Sequence, residues 1–377
     1  MKFVISSSSL SSGLQDVSKI ITIKNTIPIL DDFLFTLKGK ELTITACDME
    51  TTLKTTIEVD ESYEDGELAI PAKLLTDALK EFPDQPLEFT ADFPNNKIEI
   101  KWLTGYSTLP IMDSAEYPQL PKLDEDAQVA EISAYCIYEG INRTQYAAAT
   151  NDIRPVMSAI YFDFEPDKSF IVATDAHKLA IYTNHSTKTG KKFSFIVPRK
   201  PAATLKNLFS KEDETIVKVS FDSRNAYFEY KNTLLASRLI EGTYPAYRSI
   251  IPKRNNNHLI VNRAELLQTI KRITVCSNQN NGLIKLDLTY NQLNVSAEDR
   301  DYSLAANEDL RCKYEGDPLL IGFKPNYLIE LLSNMPYEEV CIQLFDSTQP
   351  AVFVAAYPNE TPDEEIQVIL LPNVINN

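Results

Sequence analysis

Residues 193–209 read FSFIVPRKPAATLKNLF, a β-type run that meets a lysine and then an amphipathic stretch. The same succession occurs twice more, as ELAIPAKLLTDALKEF (67–82) and PLLIGFKPNYLIELLSNM (318–335). The lysines that follow the three runs, Lys73, Lys200 and Lys324, lie 127 and 124 residues apart. A second triplet keeps the same register. LTITACD (42–48), FIVATDA (170–176) and LNVSAED (293–299) are strand-like runs closing on Asp48, Asp175 and Asp299, again 127 and 124 residues apart. Self-similarity at a fixed period is the signature of a repeat architecture.

A third element agrees more loosely. Each repeat opens with a strand and a helical stretch: FVISSSSLSSGLQDVSKII (3–21), EISAYCIYEGINRTQYAA (131–148) and LIVNRAELLQTIKRI (259–273). Leu10, Leu14, Val17 and Ile21 fall at helical spacing, as do Leu266, Ile270 and Ile273, which predicts helices with one apolar face. Alternating runs such as KIEIKW (97–102), VKVSFD (217–222) and EEVCIQLF (338–345) predict strands between them. Polar joins at LPKLDEDAQ (120–128) and PKRNNNH (252–258) mark the boundaries. The chain is therefore expected to be α+β, with domains at 1–122, 128–252 and 257–377. Each should hold two helices and two stretches of antiparallel sheet.

Composition narrows the function. Hydrophobic residues make up 44% and charged residues 24% of the 377, proportions that suit a globular protein of more than one core. No apolar run is long enough to span a bilayer. The opening MKFVISSSSLSSGL lacks the basic start and apolar stretch of a signal peptide. A cytoplasmic location is expected. Five scattered cysteines without CxxC spacing read as reduced thiols, with no disulfide frame and no zinc site. The net charge of −16 argues against holding nucleic acid by phosphate neutralisation alone.

Asp175 and His177, in ATDAHKLA (173–180), look at first like half of a catalytic pair. The repeat argues otherwise. A catalytic group is singular, whereas this aspartate recurs in all three repeats at the end of the same strand. Such aspartates accept backbone N–H bonds in the turn that follows. His177 has no counterpart, because Glu50 and Asp301 occupy the matching positions. No nucleophile motif, HExxH or phosphate-cradling glycine loop accompanies it, and the chain has only ten glycines. No catalytic residue, cofactor or metal is expected.

The polar helix faces carry a recurrent basic signal. Ser12, Gln15 and Lys19 share a face of the first helix, and Arg143, Arg263, Lys271 and Arg272 are expected to point outward from its counterparts. Lys73, Lys80, Lys200, Lys206 and Lys324 mark the second helices. Any one such face is ordinary solvated surface, but aligned repeats would gather them for sequence-independent contact with a phosphate backbone.

At this point the residues match a family. TDAHKLA (174–180), VPRK (197–200), EGTYPAYRSIIPK (241–253), IGFKPNYL (321–328) and the opening MKF with TIPIL (26–30) resemble bacterial DNA polymerase III β subunits, the sliding clamps. The resemblance runs nearly end to end. It implies three clamp-type domains per chain and a head-to-tail homodimer closing into a six-domain ring around double-stranded DNA, lined by helices. A ring held by topology needs only weak contacts, which removes the charge objection. The implied partners are the polymerase III catalytic subunit, the clamp loader and other proteins bearing a short Gln- and Leu/Phe-containing motif.

The resemblance assigns residues as well. DNA contacts align with Lys24, Lys73, Asn151, Arg154, Arg199 and Lys200. Two aromatic contacts of the family are replaced here by Pro155 and Val156. The peptide pocket aligns with Met157, Thr174, Ala176, His177, Lys178, Leu179, Pro245, Ser249 and Ile250, with Ile369, Leu371 and Pro372 near the C-terminus. Ala176, Lys178, Ser249 and Leu371 stand where the family usually has Gly, Arg, Arg and Met, and the tail LLPNVINN also departs. The dimer interface aligns with Thr104, Tyr106, Val275 and Cys276, an edge strand of the first domain meeting the third. Two other readings remain open: a hydrolase or transferase using Asp175 and His177, and a monomeric three-repeat scaffold that binds peptides.

Overall fold

The structure, a computed structural model, describes residues 1–21, 27–151, 153–210, 214–278, 282–357 and 363–375. Six α-helices occur among them: α1 (Ser7–Val17), α2 (Ala72–Lys80), α3 (Ala134–Thr144), α4 (Arg199–Leu208), α5 (Arg263–Thr274) and α6 (Pro325–Asn334). They fall two to each repeat, and each follows directly, or after one residue, a strand. The three quoted strand–lysine–helix segments become Gly66–Pro71 with α2, Phe193–Pro198 with α4, and Leu319–Phe323 with α6.

Local chemistry explains the helix starts. Ser6 caps α1 through its hydroxyl, which accepts from Ser9 N, and Asn262 caps α5 in the same way from Glu265 N. Each cap satisfies a backbone N–H that the first turn leaves without a partner. Leu10, Leu14 and Val17 are buried along α1, and Leu266, Ile270 and Ile273 along α5. Ile21 and Lys19 lie outside the first helix. After Val17 the backbone bonds shorten to i−3 spacing, with Lys19, Ile20 and Ile21 donating to Asp16, Val17 and Ser18. Helical spacing therefore overran the helix by one turn.

Among the described residues every strand pairing is antiparallel, and the strands form four sheets. The chain divides into two compact units, Met1–Tyr135 with Ala203–Leu239, and Cys136–Ala202 with Ile240–Asn377. The division cuts across the middle repeat. In the first unit, an eight-stranded sheet joins the first repeat to the middle one by pairing Thr51–Glu58 with Thr233–Arg238, and a five-stranded sheet ends at Gly105–Pro110. In the second, a nine-stranded sheet joins the middle repeat to the third by pairing Lys178–Asn184 with Glu364–Leu370. A four-stranded sheet there ends at Leu304–Arg311.

The three repeated aspartates behave as the sequence predicts. Asp48 Oδ1 accepts from Glu50 N and Thr51 N at 2.9 and 2.6 Å. Asp175 Oδ1 accepts from His177 N and Lys178 N, both at 2.9 Å. Asp299 Oδ1 accepts from Asp301 N and Tyr302 N at 3.0 and 3.4 Å. Each closes the turn between two strands.

The arginines expected to point outward do not all do so. Arg143 is half-buried, donating to Glu139 Oε2 at 2.7 Å and to the carbonyl of Asn334. Arg263 donates to the carbonyls of Tyr337 and Leu332, satisfying acceptors around the end of α6. Arg272 pairs with Glu308. Arg143 and Arg263 are structural ties, because their long stems reach acceptors that helical periodicity alone does not reveal, whereas Arg272 stays exposed as expected.

Candidate functional site

The ATDAHKLA turn lies in the second unit, above an apolar floor. Leu179 and Ile369 face each other across the paired strands and share one buried cluster with Val172, Ile196, Tyr244, Tyr247 and Val352. Strand alternation puts Leu179 on this face, while hydrogen bonds place the turn above it. Thr174 Oγ1 donates to Lys178 O at 2.7 Å and accepts from Ala176 N at 3.1 Å. Leu371 N donates to His177 O at 3.0 Å, fixing the C-terminal segment against the turn. Ala176 adopts φ 76°, a left-handed conformation that glycine takes without penalty and alanine takes at about 1 kcal/mol. The surrounding bonds hold it there.

The EGTYPAYR block forms the opposite wall. Tyr244 stacks on Tyr161, centroids 4.5 Å apart. Tyr247 donates its hydroxyl to Asp163 Oδ2 at 2.8 Å. Arg248 reaches the same oxygen at 2.9 Å and Glu165 Oε1 at 2.6 Å, with its guanidinium 4.5 Å from the Phe170 ring centre. Burial pushes the hydroxyls of Tyr244 and Tyr247 above the ordinary tyrosine range, so both stay protonated. The block is thus a rigid wall carrying Pro245, Ser249 and Ile250 at its exposed end. Ser249 turns its hydroxyl inward to Ala246 O.

The rim is charged. Lys178 is 6% exposed, with its Nζ 3.2 Å from Asp175 Oδ2, 2.7 Å from Glu330 Oε2 and 4.7 Å from the centre of the Tyr327 ring. His177 stacks on the other part of this group, 5.7 Å from Tyr327. Burial first, and then the Asp175 carboxylate, raises the Tyr327 hydroxyl above its ordinary value. No serine, threonine or cysteine is hydrogen-bonded to His177 among the described residues, so the arrangement offers no activated nucleophile. It offers a buried apolar cluster with exposed Leu371 and Ile250 on its flanking segments and a few fixed polar groups, chemistry of the kind that captures apolar side chains of a short peptide.

Thr174, Ala176, His177, Lys178, Leu179, Ile369 and Leu371 are brought together here, with Pro245, Ser249, Ile250 and Pro372 on the adjoining segments, while Met157 ends the short turn whose Val156 packs against the cluster. The sequence reading missed Tyr244, Tyr247, Val352, Tyr327 and Glu330. Three of these had a visible signal: Tyr244 and Tyr247 are inside EGTYPAYRSIIPK, and Tyr327 is inside IGFKPNYL.

The basic candidates lie elsewhere. Lys73, Arg199 and Lys200 are exposed in the first turns of α2 and α4, and Lys324 is the exposed N-cap of α6. A cation at a helix N-terminus opposes the macrodipole by about 0.3–1 kcal/mol. Three such lysines at equivalent positions are therefore not there for helix stability. Asn151 and Arg154 are exposed in the loop before Pro155–Met157, where Pro155 and Val156 begin a single 3-10 turn. Lys24 lies outside the described residues. Thr104 is in the hairpin turn leading to the edge strand Gly105–Pro110, on which Tyr106 is 66% exposed. Val275 is 78% exposed at the C-cap of α5, with the half-buried Cys276 beside it. No group of three or more His, Cys, Asp or Glu able to hold a metal occurs among the described residues. No helix among them is long and apolar enough to cross a membrane.

Family models of the DNA polymerase III beta subunit match consecutively: the N-terminal domain over residues 1–121, the central domain over 131–246 and the C-terminal domain over 248–373. Beta sliding clamps of Haemophilus influenzae and Bacillus subtilis are 28% and 24% identical, with 99% of each chain covered. A Pseudomonas aeruginosa sliding clamp solved with griselimycin superposes with a TM-score of 0.92 at 24% identity, covering 100% of both chains. The Bacillus subtilis clamp superposes at 0.90 and 23% identity, also over 100% of both. Three successive domain matches, in order and over nearly the whole length, place this chain in the bacterial DNA polymerase III beta subunit family, the sliding clamps.

Proposed function

We propose that this clamp acts as a homodimeric ring that encircles double-stranded DNA and tethers the replicative polymerase, without catalysis of its own. Its three domains are taken as 1–122, 128–252 and 257–377. The observation that carries the ring is the pattern of strand joints. Thr233–Arg238 completes the joint of the first and middle repeats, and Lys178–Asn184 that of the middle and third. Shifting the first back by 127 residues gives 106–111, over Gly105–Pro110, and shifting the second forward by 124 gives 302–308, overlapping Leu304–Arg311. Both are edge strands of their sheets.

A chain with two internal joints and the two halves of a third left open is completed by a second copy. Thr104 and Tyr106 belong to one half. Val275 and Cys276 end α5, which packs on Leu304–Arg311, the other half. To Thr104, Tyr106, Val275 and Cys276 this reading adds the edge strand Leu304–Arg311 of the third repeat.

Lys24, Lys73, Asn151, Arg154, Arg199 and Lys200 are proposed to touch the phosphate backbone weakly, so that topology holds the DNA and exchangeable ion pairs let it slide. The trough around Leu179 and Ile369 would receive the Gln- and Leu/Phe-containing motifs of the polymerase catalytic subunit, the clamp loader and other partners in the cytoplasm. Ala176, Lys178, Ser249 and Leu371 would tune its preference. The test is retention on circular and linearised DNA after loading by a clamp loader. The ring predicts retention on circles and loss from linear ends. Equal retention on both forms, or a monomer at micromolar concentration in mild salt, overturns it.

A further inference from the structure

The trough at Asp175–Leu179 has a counterpart one repeat earlier, built wholly within the first unit. Its hydrogen bonds are the same. Asp48 closes the turn as Asp175 does, and Arg238 N donates to Glu50 O at 2.9 Å where Leu371 N donates to His177 O. Thr51 faces Ser237 across the paired strands as Lys178 faces Leu370. Tyr117 is buried as Tyr244 is, each followed by a proline, and Pro118 lines the counterpart. Between these elements lies an open cavity of about 480 Å³, within the ordinary range for ligand pockets.

The chemistry of this cavity differs from that of its counterpart. Thr52, Ala236 and Arg238 stand at the register positions of Leu179, Ile369 and Leu371. Arg238 and Lys122 line it and are exposed, and neither side chain has an ion pair or hydrogen bond among the described residues. Arg224 adds a third cation, shared with Asp124 at 3.1 Å. Of the lining acids, Asp48 is occupied by backbone N–H groups, which leaves Glu50 at the mouth. Exposed apolar surface sits beside the cations, on Ile27 and Met49. An uncommitted guanidinium fork next to apolar walls, in a protein of net charge −16, is complementary to a carboxylate adjoining an apolar side chain.

We infer that this cavity is a second peptide-docking site, selective for short extended acidic segments that carry a leucine or phenylalanine. A carboxylate of the segment pairs with Arg238, with Lys122 supporting it, and the apolar side chain lies on Met49 and Ile27. The first trough, with leucine at the position of Arg238, is left to neutral motifs. The proposal uses the peptide-trough reading only as its geometric analogue, so that reading is tested separately.

The experiment is calorimetric titration of the full chain with the probe acetyl-Glu-Leu-Asp-Phe-Asp-amide and its neutral counterpart acetyl-Gln-Leu-Asn-Phe-Asn-amide. Leu371→Asp, an exposed rim change, disables the first trough; Arg238→Glu reverses the charge of the second. Circular dichroism confirms that both variants are folded. The acidic probe is expected to keep one site per chain in Leu371→Asp, and to lose affinity by about tenfold or more when Arg238→Glu is added. The neutral counterpart should bind that site about tenfold more weakly. Absence of acidic-probe binding to Leu371→Asp at millimolar concentration overturns the proposal, as does binding that Arg238→Glu leaves unchanged. Loss of neutral-peptide binding by Leu371→Asp bears on the first trough alone.

Discussion

Replacing Asp175 separates a structural carboxylate from a chemical one. Its Oδ1 accepts two backbone N–H groups at 2.9 Å, and its Oδ2 lies 3.2 Å from Lys178 Nζ. In Asp175→Ala the two N–H groups lose their acceptor. Because the turn is only half-buried, water takes part of that role, so each bond is counted at about 1 kcal/mol. The ion pair adds about 0.5–1 kcal/mol, a small term because Glu330 remains beside Lys178 at 2.7 Å. The expected loss is about 2–3 kcal/mol. Asp175→Asn keeps an oxygen acceptor at the same place and loses only the ion pair, so it should cost about 1 kcal/mol or less.

Urea unfolding followed by circular dichroism measures the first quantity. Fluorescence anisotropy with a labelled Gln/Leu/Phe peptide measures whether the turn still presents His177 and Lys178. The alanine variant should weaken the peptide several-fold, and the asparagine variant should bind nearly as wild type. Asp48→Ala should cost a similar amount, and Asp299→Ala less, since its second bond is 3.4 Å long. If Asp175→Asn abolishes peptide binding as fully as alanine does while stability is untouched, the carboxylate charge has a functional role and the argument from the repeat fails.

Two further perturbations test the packing. Asp32 is buried, its Oδ2 has no hydrogen-bond partner, and burial followed by the neighbouring Asp31 raises its carboxyl to about 6. The folded state thus holds this proton more tightly than the unfolded chain, where the group titrates near 3.9. Its contribution to stability is complete below about pH 4 and is lost as pH rises through about 6. Asp32→Asn should therefore stabilise the protein by up to about 3 kcal/mol at pH 8 and by almost nothing at pH 4; thermal melts at both values check the order. Gly140, in α3, packs so closely on Ile171 that an added Cβ would collide with that side chain. Gly140→Ala is expected to destabilise by about 1–3 kcal/mol through overpacking despite alanine's better helix propensity, and Ile171→Ala in the same chain should recover part of the loss. A stable single variant would show that the helix has room to shift.

Much of the fold was legible because its signals are local. Apolar spacing at Leu266, Ile270 and Ile273 needs only a helix and a core to face. The turn aspartates declare themselves by bonding backbone two and three residues away, and their recurrence at a fixed interval exposed both the repeat and the structural role of Asp175. The peptide trough was legible in part, through the motif that holds Thr174 to Leu179. Its other half came from far along the chain: Glu330 neutralises Lys178 across 152 residues, and Tyr247 with Arg248 seals Asp163 across 84 and 85.

By itself, then, the sequence determined the repeat, its helices and strands, its turns and the kinship of the chain. Tertiary structure alone decided that Arg263 ties down α6 rather than facing outward. It also decided which strands join one repeat to the next, and that the middle repeat is divided between two compact units. The physical reason is range. Periodicity and turn chemistry act over a few residues, whereas strand pairing, guanidinium reach and the neutralisation of a buried ammonium depend on groups that only folding brings within 3 or 4 Å of each other.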